Sequence, residues 1–194
     1  MPNNQQRQWE ARYHQQKTGW DRGAINPQLQ KWLKDEKLKP CRILVPGCGN
    51  GYEVLALAAA GFDVVAVDIA TTPVQCLREQ LKQQSLKAEV VQGDLLNWES
   101  KKIFDAVYEQ TCLCALPPKT WQQYEQQLHR WLTPQGKIFT LFMQTQQQGG
   151  PPFHCELSEM RILFSETRWS WNDEENKIPH PAGFHELAFL LEKN

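Results

Sequence analysis

The segment RILVPGCGNGYEVLALAAAGFDVVAVD, residues 42–68, decides the fold of this chain. A short apolar run leads into three glycines at alternate positions, Gly47, Gly49 and Gly51, and a second apolar run ends at Asp68. The apolar runs predict buried strands, and the stretch between them, which a further glycine closes, predicts a helix. The segment therefore predicts a strand–turn–helix–strand motif, the building block of a parallel sheet.

The spacing of the glycines decides between the known nucleotide-binding turns. A dinucleotide-binding turn has the pattern G-x-G-x-x-G, but Tyr52 stands where its third glycine belongs. A P-loop is excluded as well, because no Gly-Lys-Ser/Thr sequence follows. Glycine lets a ligand approach the backbone, and Asp68 at the end of the second strand can accept hydrogen bonds from both hydroxyls of a ribose. The pattern predicts a nucleoside cofactor, and the alternative is a glycine turn that serves only tight packing.

Strands and helices alternate along most of the remaining chain. Three more strands are predicted in AEVVQGD, FDAVYEQ and GKIFTLFM, and helices in PQLQKWLKDEK, TPVQCLREQLKQQ, PKTWQQYEQQLHRWL and ELSEMRILFSE. The last two strands, TRWSWND and HELAFLLEK, predict an antiparallel hairpin, because the turn-rich EENKIPHPAGF between them has no room for a crossover helix. We therefore predict a single α/β domain, residues 1–194, with a mostly parallel seven-stranded sheet, one antiparallel strand near the C-terminus and helices on both faces.

Composition and charge exclude several classes of function. The 194 residues have a formal net charge of -1, which argues against a general binder of nucleic acid or of membrane surfaces. No apolar run is long enough to span a bilayer, and the polar N-terminus lacks the apolar core of a signal peptide. The six cysteines form no CxxC pair, so no metal site is predicted. We expect a cytoplasmic monomer with a small-molecule substrate and without a nucleic-acid or membrane partner.

Polar residues stand where the third and fourth predicted strands end. Asp94 follows the third strand, and Glu109, Gln110 and Thr111 stand at the end of the fourth. The carboxyl ends of parallel strands form one edge of the sheet, where open α/β folds bind their ligands. These residues are therefore candidates for the binding site. For Asp94 and Glu109 a local role as a cap or turn residue is the alternative.

The order of the motifs VPGCGNG, VVAVD, GDLLNW and VYEQTCLCALPP resembles the S-adenosylmethionine-dependent methyltransferases of the thiopurine/thiol/halide methyltransferase family. The stretches WEARYHQQKTGWDRGAINPQL and GGPPF are also similar to that family, so the resemblance covers nearly the whole chain. It implies a Rossmann-like class I methyltransferase core in residues 39–194, preceded in residues 1–38 by a cofactor-covering segment and a helix. It also implies S-adenosyl-L-methionine as cofactor and S-adenosyl-L-homocysteine as product.

The resemblance further implies which residues bind the cofactor. They are Trp9, Tyr13, Trp20, Gly47, Gly49, Asp68, Asp94, Leu95 and Gln110. The three aromatic residues would fold over the sulfonium cation, because aromatic faces attract cations. The two glycines would approach the methionine part, Asp68 the ribose, and Asp94 with Leu95 the adenine. No catalytic residue is assigned, since a lone histidine is more often a surface or capping residue.

Two departures from the family's pattern bear on the substrate. Val45 stands where most methyltransferases have an acidic residue before the glycines, and the resulting sequence VPGCG is typical of the family that this chain resembles. Thiopurine-type members have Asp-Arg after the fourth strand, where this chain has Glu109 and Gln110 followed by TCLCAL, which is closer to the thiol/halide branch. We predict methyl transfer to a small soft nucleophile, which is a thiol, hydrosulfide, a halide or a chalcogen anion. The alternatives are a thiopurine-type aromatic thiol S-methyltransferase, an NAD-dependent oxidoreductase and a non-catalytic cofactor-binding module.

Overall fold

The computed structural model describes residues 4–194, except for the side chains of residues 173–175. In chain order its elements are α1 (Asn4–His14), α2 (Pro27–Lys34), β1 (Arg42–Pro46), α3 (Tyr52–Ala59), β2 (Asp63–Asp68), α4 (Thr71–Gln83), β3 (Glu89–Gln92), β4 (Phe104–Gln110), α5 (Trp121–Trp131), β5 (Leu132–Gln144), α6 (Leu157–Leu163), β6 (Trp169–Pro179) and β7 (His185–Lys193). Two short 3-10 turns, Leu113–Ala115 and Pro118–Thr120, lie between β4 and α5.

The strands form a seven-stranded sheet in the order β3-β2-β1-β4-β5-β7-β6. Strand β2 pairs in parallel with β1 and β3, and β4 pairs in parallel with β5. Strand β7 runs antiparallel to both of its neighbours, β5 and β6. The predicted mostly parallel sheet with one antiparallel strand near the C-terminus is therefore confirmed.

The chain forms two compact units, which meet in sequence between Trp98 and Glu99. In the first unit, β1 and β2 are buried along nearly their whole length, and Leu44 pairs with Val65. Gly51, at the start of α3, has a φ of +76°, and a methyl group there would lie 2.4 Å from Cδ1 of Leu77 in α4. Close packing of the two helices therefore requires glycine at this position. The single domain predicted for residues 1–194 stays a prediction.

Aromatic side chains hold the second unit together. The ring of Phe142 in β5 lies 5.8 Å from the ring of Trp171 in β6 and 5.9 Å from that of Phe189 in β7. Trp169 is fully buried, and its indole N–H donates to a carboxylate oxygen of Glu125 in α5 at 2.6 Å. A buried indole N–H needs such a partner, so this bond attaches α5 to the start of β6.

Two predicted boundaries differ from the structure. The breaker TPQG, residues 133–136, lies inside β5, where pairing with β4 moves from Phe104–Leu132 directly to Ala106–Lys137. The extra residues form a bulge, and Gln135 takes a left-handed φ of 62°. Strand β6 also extends to Pro179, so the predicted long turn before β7 is reduced to residues 180–184.

Helix α1 was not predicted from the sequence. Its sequence NQQRQWEARYH is polar, and none of its residues, all of which the structure describes, is buried. Amphipathic periodicity is the main signal for a helix in sequence, and α1 has almost none. Its position therefore depends on contacts with the rest of the first unit.

No helix in residues 4–194 is both long and apolar enough to cross a membrane. Within the same residues, no group of three histidine, cysteine or acidic side chains is arranged to hold a metal ion. The predicted cytoplasmic location and monomeric state stay predictions.

Candidate cofactor and acceptor sites

The glycine turn between β1 and α3 is held against β2 by backbone hydrogen bonds. Gly47 and Gly49 have φ values of 60° and 50°, in the left-handed region that favours glycine. The N–H of Cys48 donates to the Val67 carbonyl at 3.2 Å, and the N–H of Gly49 donates to Oδ2 of Asp68 at 2.9 Å. The structure therefore brings the two predicted glycines and Asp68 together at the end of β2.

Asp68 is buried, and both of its carboxylate oxygens accept backbone hydrogen bonds. Oδ2 accepts from Gly49 and Oδ1 accepts from the N–H of Ala70, each at 2.9 Å. Burial raises the pKa of Asp68, and the hydrogen bonds from Ala70 and Gly49 offset only part of that rise. A carboxylate oxygen has two lone pairs, so each oxygen can accept one more donor. These two acceptors fit the two hydroxyls of a ribose, which would donate to them.

The three predicted aromatic residues form one cluster in the first unit. Trp20 makes edge-to-face contacts with Trp9 and Tyr13, with ring centroids 5.4 and 5.7 Å apart. The Tyr13 hydroxyl reaches the glycine turn, since a methyl group at Gly49 would lie 3.2 Å from its oxygen. The guanidinium of Arg12 lies 5.0 Å from the centre of the Trp9 ring, so this cluster already binds one cation through an aromatic face. The cluster fits a sulfonium ligand.

Burial raises the pKa of the Tyr13 hydroxyl, and the nearby Asp68 and Cys48 raise it further. The hydroxyl therefore stays protonated across the physiological pH range and can donate a hydrogen bond. The protonated Tyr13 hydroxyl could donate to the carboxylate of a methionine group, whereas a tyrosinate at the same place would repel it.

Asp21, in the family-like stretch WEARYHQQKTGWDRGAINPQL, links the N-terminal segment to the glycine turn through hydrogen bonds. Its Oδ2 accepts from the side-chain amide of Asn50 at 2.5 Å and from the Tyr52 hydroxyl at 3.4 Å. Further along, the N–H of Asn26 donates to Oε1 of Glu53 in α3 at 2.9 Å. Sequence reasoning missed these attachments, although Asp21 stands in a stretch that it had singled out.

A second carboxylate that sequence reasoning missed lies in α1. Glu10 accepts hydrogen bonds from the backbone N–H groups of Thr71 and Thr72, at 2.7 and 3.2 Å, and from the Thr72 hydroxyl. These two threonines begin α4, directly after Asp68 and Ala70. The only sequence signal for this contact is a carboxylate beside Trp9 in the family-like stretch WEARYH.

Asp94 and Leu95 lie in the turn after β3. Oδ1 of Asp94 accepts from the N–H of Leu96 at 3.1 Å, and Oδ2 accepts from the side chain of Asn97 at 2.9 Å. Both oxygens therefore serve the local turn, the alternative that the sequence had left open. Leu95 is buried. Contact of this pair with adenine stays a prediction.

In the second unit, Glu109 points into the protein interior. It is 2% exposed, its Oε1 accepts from the N–H of Leu113 at 2.6 Å, and its Oε2 accepts from the Thr140 hydroxyl at 3.2 Å. Burial raises the pKa of Glu109 to about 7, the hydrogen bonds from Leu113 and Thr140 limit the rise, and Glu186 adds to it. Glu109 is therefore a core residue that caps the turn after β4, so the local alternative describes its contacts.

Gln110 lies on the opposite side of β4, because successive side chains of a strand alternate between its faces. It is half-buried, and its Oε1 accepts a hydrogen bond from the Tyr108 hydroxyl at 2.8 Å. This bond orients the amide and leaves its Nε2 amino group to donate to a ligand. The carboxyl end of β4 therefore carries an oriented neutral donor.

The motif TCLCALPP and the motif GGPPF meet after β4. The N–H of Phe153 donates to the Cys114 carbonyl at 2.7 Å, and the Phe153 ring lies so close to Gly150 that a methyl group there would be 2.7 Å away. Cys112 and Cys114 are both buried in the 3-10 turn region. Both thiols lie in the turn that follows β4, where the N–H of Leu113 donates to Glu109.

Comparison with known proteins places the chain in a family. The profile of the family described as Thiopurine S-methyltransferase (TPMT) matches residues 4–186. Probable thiol methyltransferase 2 of Arabidopsis thaliana is 32% identical over 164 residues, 82% of this chain and 72% of that protein. Thiopurine S-methyltransferase of Pseudomonas putida (strain GB-1) is 28% identical over 188 residues, 86% of this chain and 85% of that protein.

Solved structures share the fold at low sequence identity. The 1,6-didemethyltoxoflavin-N1-methyltransferase of Burkholderia thailandensis, with bound S-adenosylhomocysteine, superposes with a TM-score of 0.80 at 19% identity, over 97% of this chain and 87% of that chain. Magnesium protoporphyrin IX methyltransferase of Synechocystis PCC 6803, with bound SAM, gives 0.77 at 12% identity, over 99% and 98%. The predictions of the fold class, of a methyltransferase and of the family are confirmed. This chain belongs to the thiopurine S-methyltransferase family.

Proposed function

We propose that this protein transfers the methyl group of S-adenosylmethionine to a small soft nucleophile, which is a thiol, hydrosulfide, a halide or a chalcogen anion. The observation that carries the acceptor class is the amide of Gln110, oriented by the Tyr108 hydroxyl at 2.8 Å. Thiopurine-type members have an arginine at this position. A neutral N–H donor binds a small anion without the paired, charged bonds that select a carboxylate.

The first unit supplies the groups that would hold the cofactor. Asp68 would bind the ribose hydroxyls, and Gly47 and Gly49 would let the methionine part approach the backbone. The aromatic cluster would lie against the sulfonium, and Leu95 would contact the adenine through apolar surface. When bound, S-adenosylmethionine supplies an electrophilic methyl group on a cationic sulfur. Solved structures with the same fold support this cofactor, because they contain S-adenosylmethionine or its product S-adenosylhomocysteine.

The reaction requires little of the protein beyond placement. Alignment of a nucleophile with the methyl group converts a bimolecular encounter into a reaction within one complex. A free thiol has a pKa of about 8.5, so a few per cent is already thiolate at neutral pH, and halides need no base. Histidine is the usual general base, and two histidines make local hydrogen bonds: Nδ1 of His154 accepts from the N–H of Thr145 at 3.1 Å, and Nδ1 of His180 accepts from the N–H of Ala182 at 3.2 Å. We therefore assign no general base.

A panel of acceptors tests the proposal. Hydrosulfide, a small uncharged thiol, iodide and a carboxylate-bearing aromatic thiol are each incubated with the protein and S-adenosylmethionine, and release of S-adenosylhomocysteine is measured. The proposal expects turnover with the first three and the lowest kcat/KM with the carboxylate-bearing thiol. Preference for that thiol would favour the thiopurine-type alternative. Binding of S-adenosylhomocysteine without turnover of any acceptor would favour a non-catalytic module, and binding of NAD instead would favour the oxidoreductase.

A further inference from the structure

Helix α4 begins beside the candidate ribose site without a cap of its own. Its N-cap residue is Ala70, whose side chain cannot accept a hydrogen bond. Asp68 accepts the N–H of Ala70, but the next two N–H groups belong to the first turn of the helix and have no partner within it. They need an acceptor from another part of the chain.

Glu10 of α1 is that acceptor. Its Oε2 lies 2.7 Å from the Thr71 nitrogen and 3.2 Å from the Thr72 nitrogen, and its Oε1 accepts from the Thr72 hydroxyl. The residues are 61 and 62 positions apart in sequence, so the cap joins two separate elements. A negative charge at a helix N-terminus is favoured by the helix dipole as well. We call these three hydrogen bonds the Glu10 latch.

The Glu10 latch completes a closed ring of contacts around the glycine turn. From Glu10 the ring passes to the start of α4 and to Asp68, which accepts from the N–H of Gly49. A methyl group at Gly49 would lie 3.2 Å from the hydroxyl oxygen of Tyr13, so this hydroxyl stands next to Gly49. Tyr13 is three positions after Glu10 in α1, which places both side chains on one side of the helix. Each contact therefore fixes a group that the proposed cofactor site uses.

The latch adds hydrogen bonds to the aromatic contacts that Trp9 and Tyr13 of α1 make with Trp20. Burial raises the pKa of Glu10, but the hydrogen bonds from Thr72 and Thr71 and the nearby His14 lower it more, so its pKa lies below the usual value. Glu10 is therefore ionised at neutral pH and accepts all three hydrogen bonds as a carboxylate.

We propose that Glu10 is a positioning residue. It holds Trp9 and Tyr13 of α1 over the cofactor and thereby sets the affinity for S-adenosylmethionine without taking part in methyl transfer. This inference rests on the proposed function. Glu10 does not need to touch the cofactor, since it acts through the position of Trp9 and Tyr13.

The test compares Glu10→Gln and Thr72→Val with Glu79→Gln, a matched control on the exposed side of α4. Glu10→Gln keeps the size of the side chain but removes the charge, and Thr72→Val removes only the hydroxyl donor. Steady-state kinetics with hydrosulfide as the acceptor give KM for S-adenosylmethionine and kcat. Hydrogen exchange of the cofactor-free protein reports the order of α1.

We expect Glu10→Gln to raise KM for S-adenosylmethionine about tenfold, as the loss of one charge-assisted hydrogen bond does. Thr72→Val should raise it about threefold, since it removes a single neutral donor from the latch. For both variants kcat should stay within about twofold of the wild type and α1 should exchange faster, whereas Glu79→Gln should match the wild type.

Three results would overturn the inference. The first is unchanged exchange of α1 in Glu10→Gln, and the second is faster exchange of α1 with an unchanged KM or with a loss confined to kcat. The third is faster exchange throughout the first unit with a lowered Tm, which would make Glu10 a general stability residue. If the wild type binds no S-adenosylhomocysteine, the proposed function fails, while the exchange of α1 still reports on the latch.

Discussion

Asp68 and Glu109 are both buried carboxylates at the carboxyl ends of strands, yet their surroundings differ. The oxygens of Asp68 accept N–H groups from Gly49 and Ala70, which belong to the candidate cofactor site. The oxygens of Glu109 accept from Leu113 and Thr140 inside the second unit. The same type of residue at the same kind of position therefore has different donors, from the glycine turn and the start of α4 for Asp68 and from the core of the second unit for Glu109.

The consequence for protonation also differs between the two sites. Burial raises the pKa of both carboxyls, and a neighbouring carboxylate adds to each rise, Glu10 for Asp68 and Glu186 for Glu109, whose pKa reaches about 7. Two neighbouring buried carboxyls disfavour simultaneous ionisation, so Glu109 holds a proton over part of the physiological range. We expect Asp68 to bind the ribose and Glu109 to stay protonated in the core over that part of the range.

The largest effect is expected from Asp68→Asn. The substitution places an amide where two backbone N–H groups require acceptors and removes the charge that would bind ribose hydroxyls. Binding of S-adenosylhomocysteine, measured by calorimetry, should weaken by roughly 1.5–3 kcal/mol, the range for hydrogen bonds to a charged group.

The matched control is Asp63→Asn at the other end of β2, where the exposed carboxylate pairs with Arg42. This variant should bind S-adenosylhomocysteine like the wild type. Equal affinity in a folded Asp68→Asn protein would remove Asp68 from the ribose site.

Glu109→Gln should change stability and its pH dependence, with cofactor affinity unchanged. In the wild type the folded state keeps the proton between the ordinary pKa of 4.5 and the raised value of about 7, while the unfolded state has lost it. The contribution of Glu109 to stability is therefore greatest below pH 4.5 and decreases with rising pH by about 1.4 kcal/mol per unit until it levels off above pH 7. Glutamine can accept from Leu113 and donate to Thr140, so this decrease should disappear.

Urea unfolding between pH 5 and pH 8 measures the effect, and the stability of Glu109→Gln relative to the wild type should rise by roughly 2–3 kcal/mol across that range. Glu99→Gln, an exposed residue of the same unit whose side chain pairs with Arg130, serves as the control. A decrease with pH that persists unchanged in Glu109→Gln would assign the stored proton to another group.

The smallest effect is expected from Tyr108→Phe, which tests the side of β4 opposite Glu109. The change removes the hydrogen bond that orients Gln110 and leaves the ring in the core. The kcat/KM for a small thiol should fall by the equivalent of about 0.5–1.5 kcal/mol, the usual contribution of one neutral hydrogen bond. KM for S-adenosylmethionine should stay the same. A rise confined to KM for S-adenosylmethionine would show that Gln110 contacts the cofactor and not the acceptor.

The parts of the fold with strong local signals could be predicted from the sequence. The alternation of apolar runs and glycines predicted β1, α3 and β2, and the hairpin of β6 and β7 followed from the short connection between them. Asp68 could be singled out as a candidate because it stands at the end of a predicted strand, and its contact with the ribose stays a prediction. Gly51 shows that one of the glycines serves packing, as the alternative had held.

Contacts between distant residues could not be predicted in this way. Helix α1 has a polar sequence, and the Glu10 latch joins residues 61 and 62 positions apart, so no window of sequence contains both partners. Asp94 and Glu109 carried two possible roles each, and only the hydrogen bonds of the folded chain show that Asp94 and one oxygen of Glu109 bind the local turn, while the other oxygen of Glu109 binds Thr140.

In the proposed reaction, the neutral, oriented donor at Gln110 selects small soft nucleophiles. The ratio of kcat/KM for hydrosulfide to that for a carboxylate-bearing aromatic thiol tests this selection, measured in the wild type, in Gln110→Arg and in the exposed control Gln126→Arg. We expect the wild type and the control to prefer hydrosulfide, and Gln110→Arg to shift the ratio about tenfold toward the carboxylate-bearing thiol, because arginine offers a paired charged donor. A wild type that prefers the carboxylate-bearing thiol, or a Gln110→Arg ratio equal to that of the control, would contradict this selection.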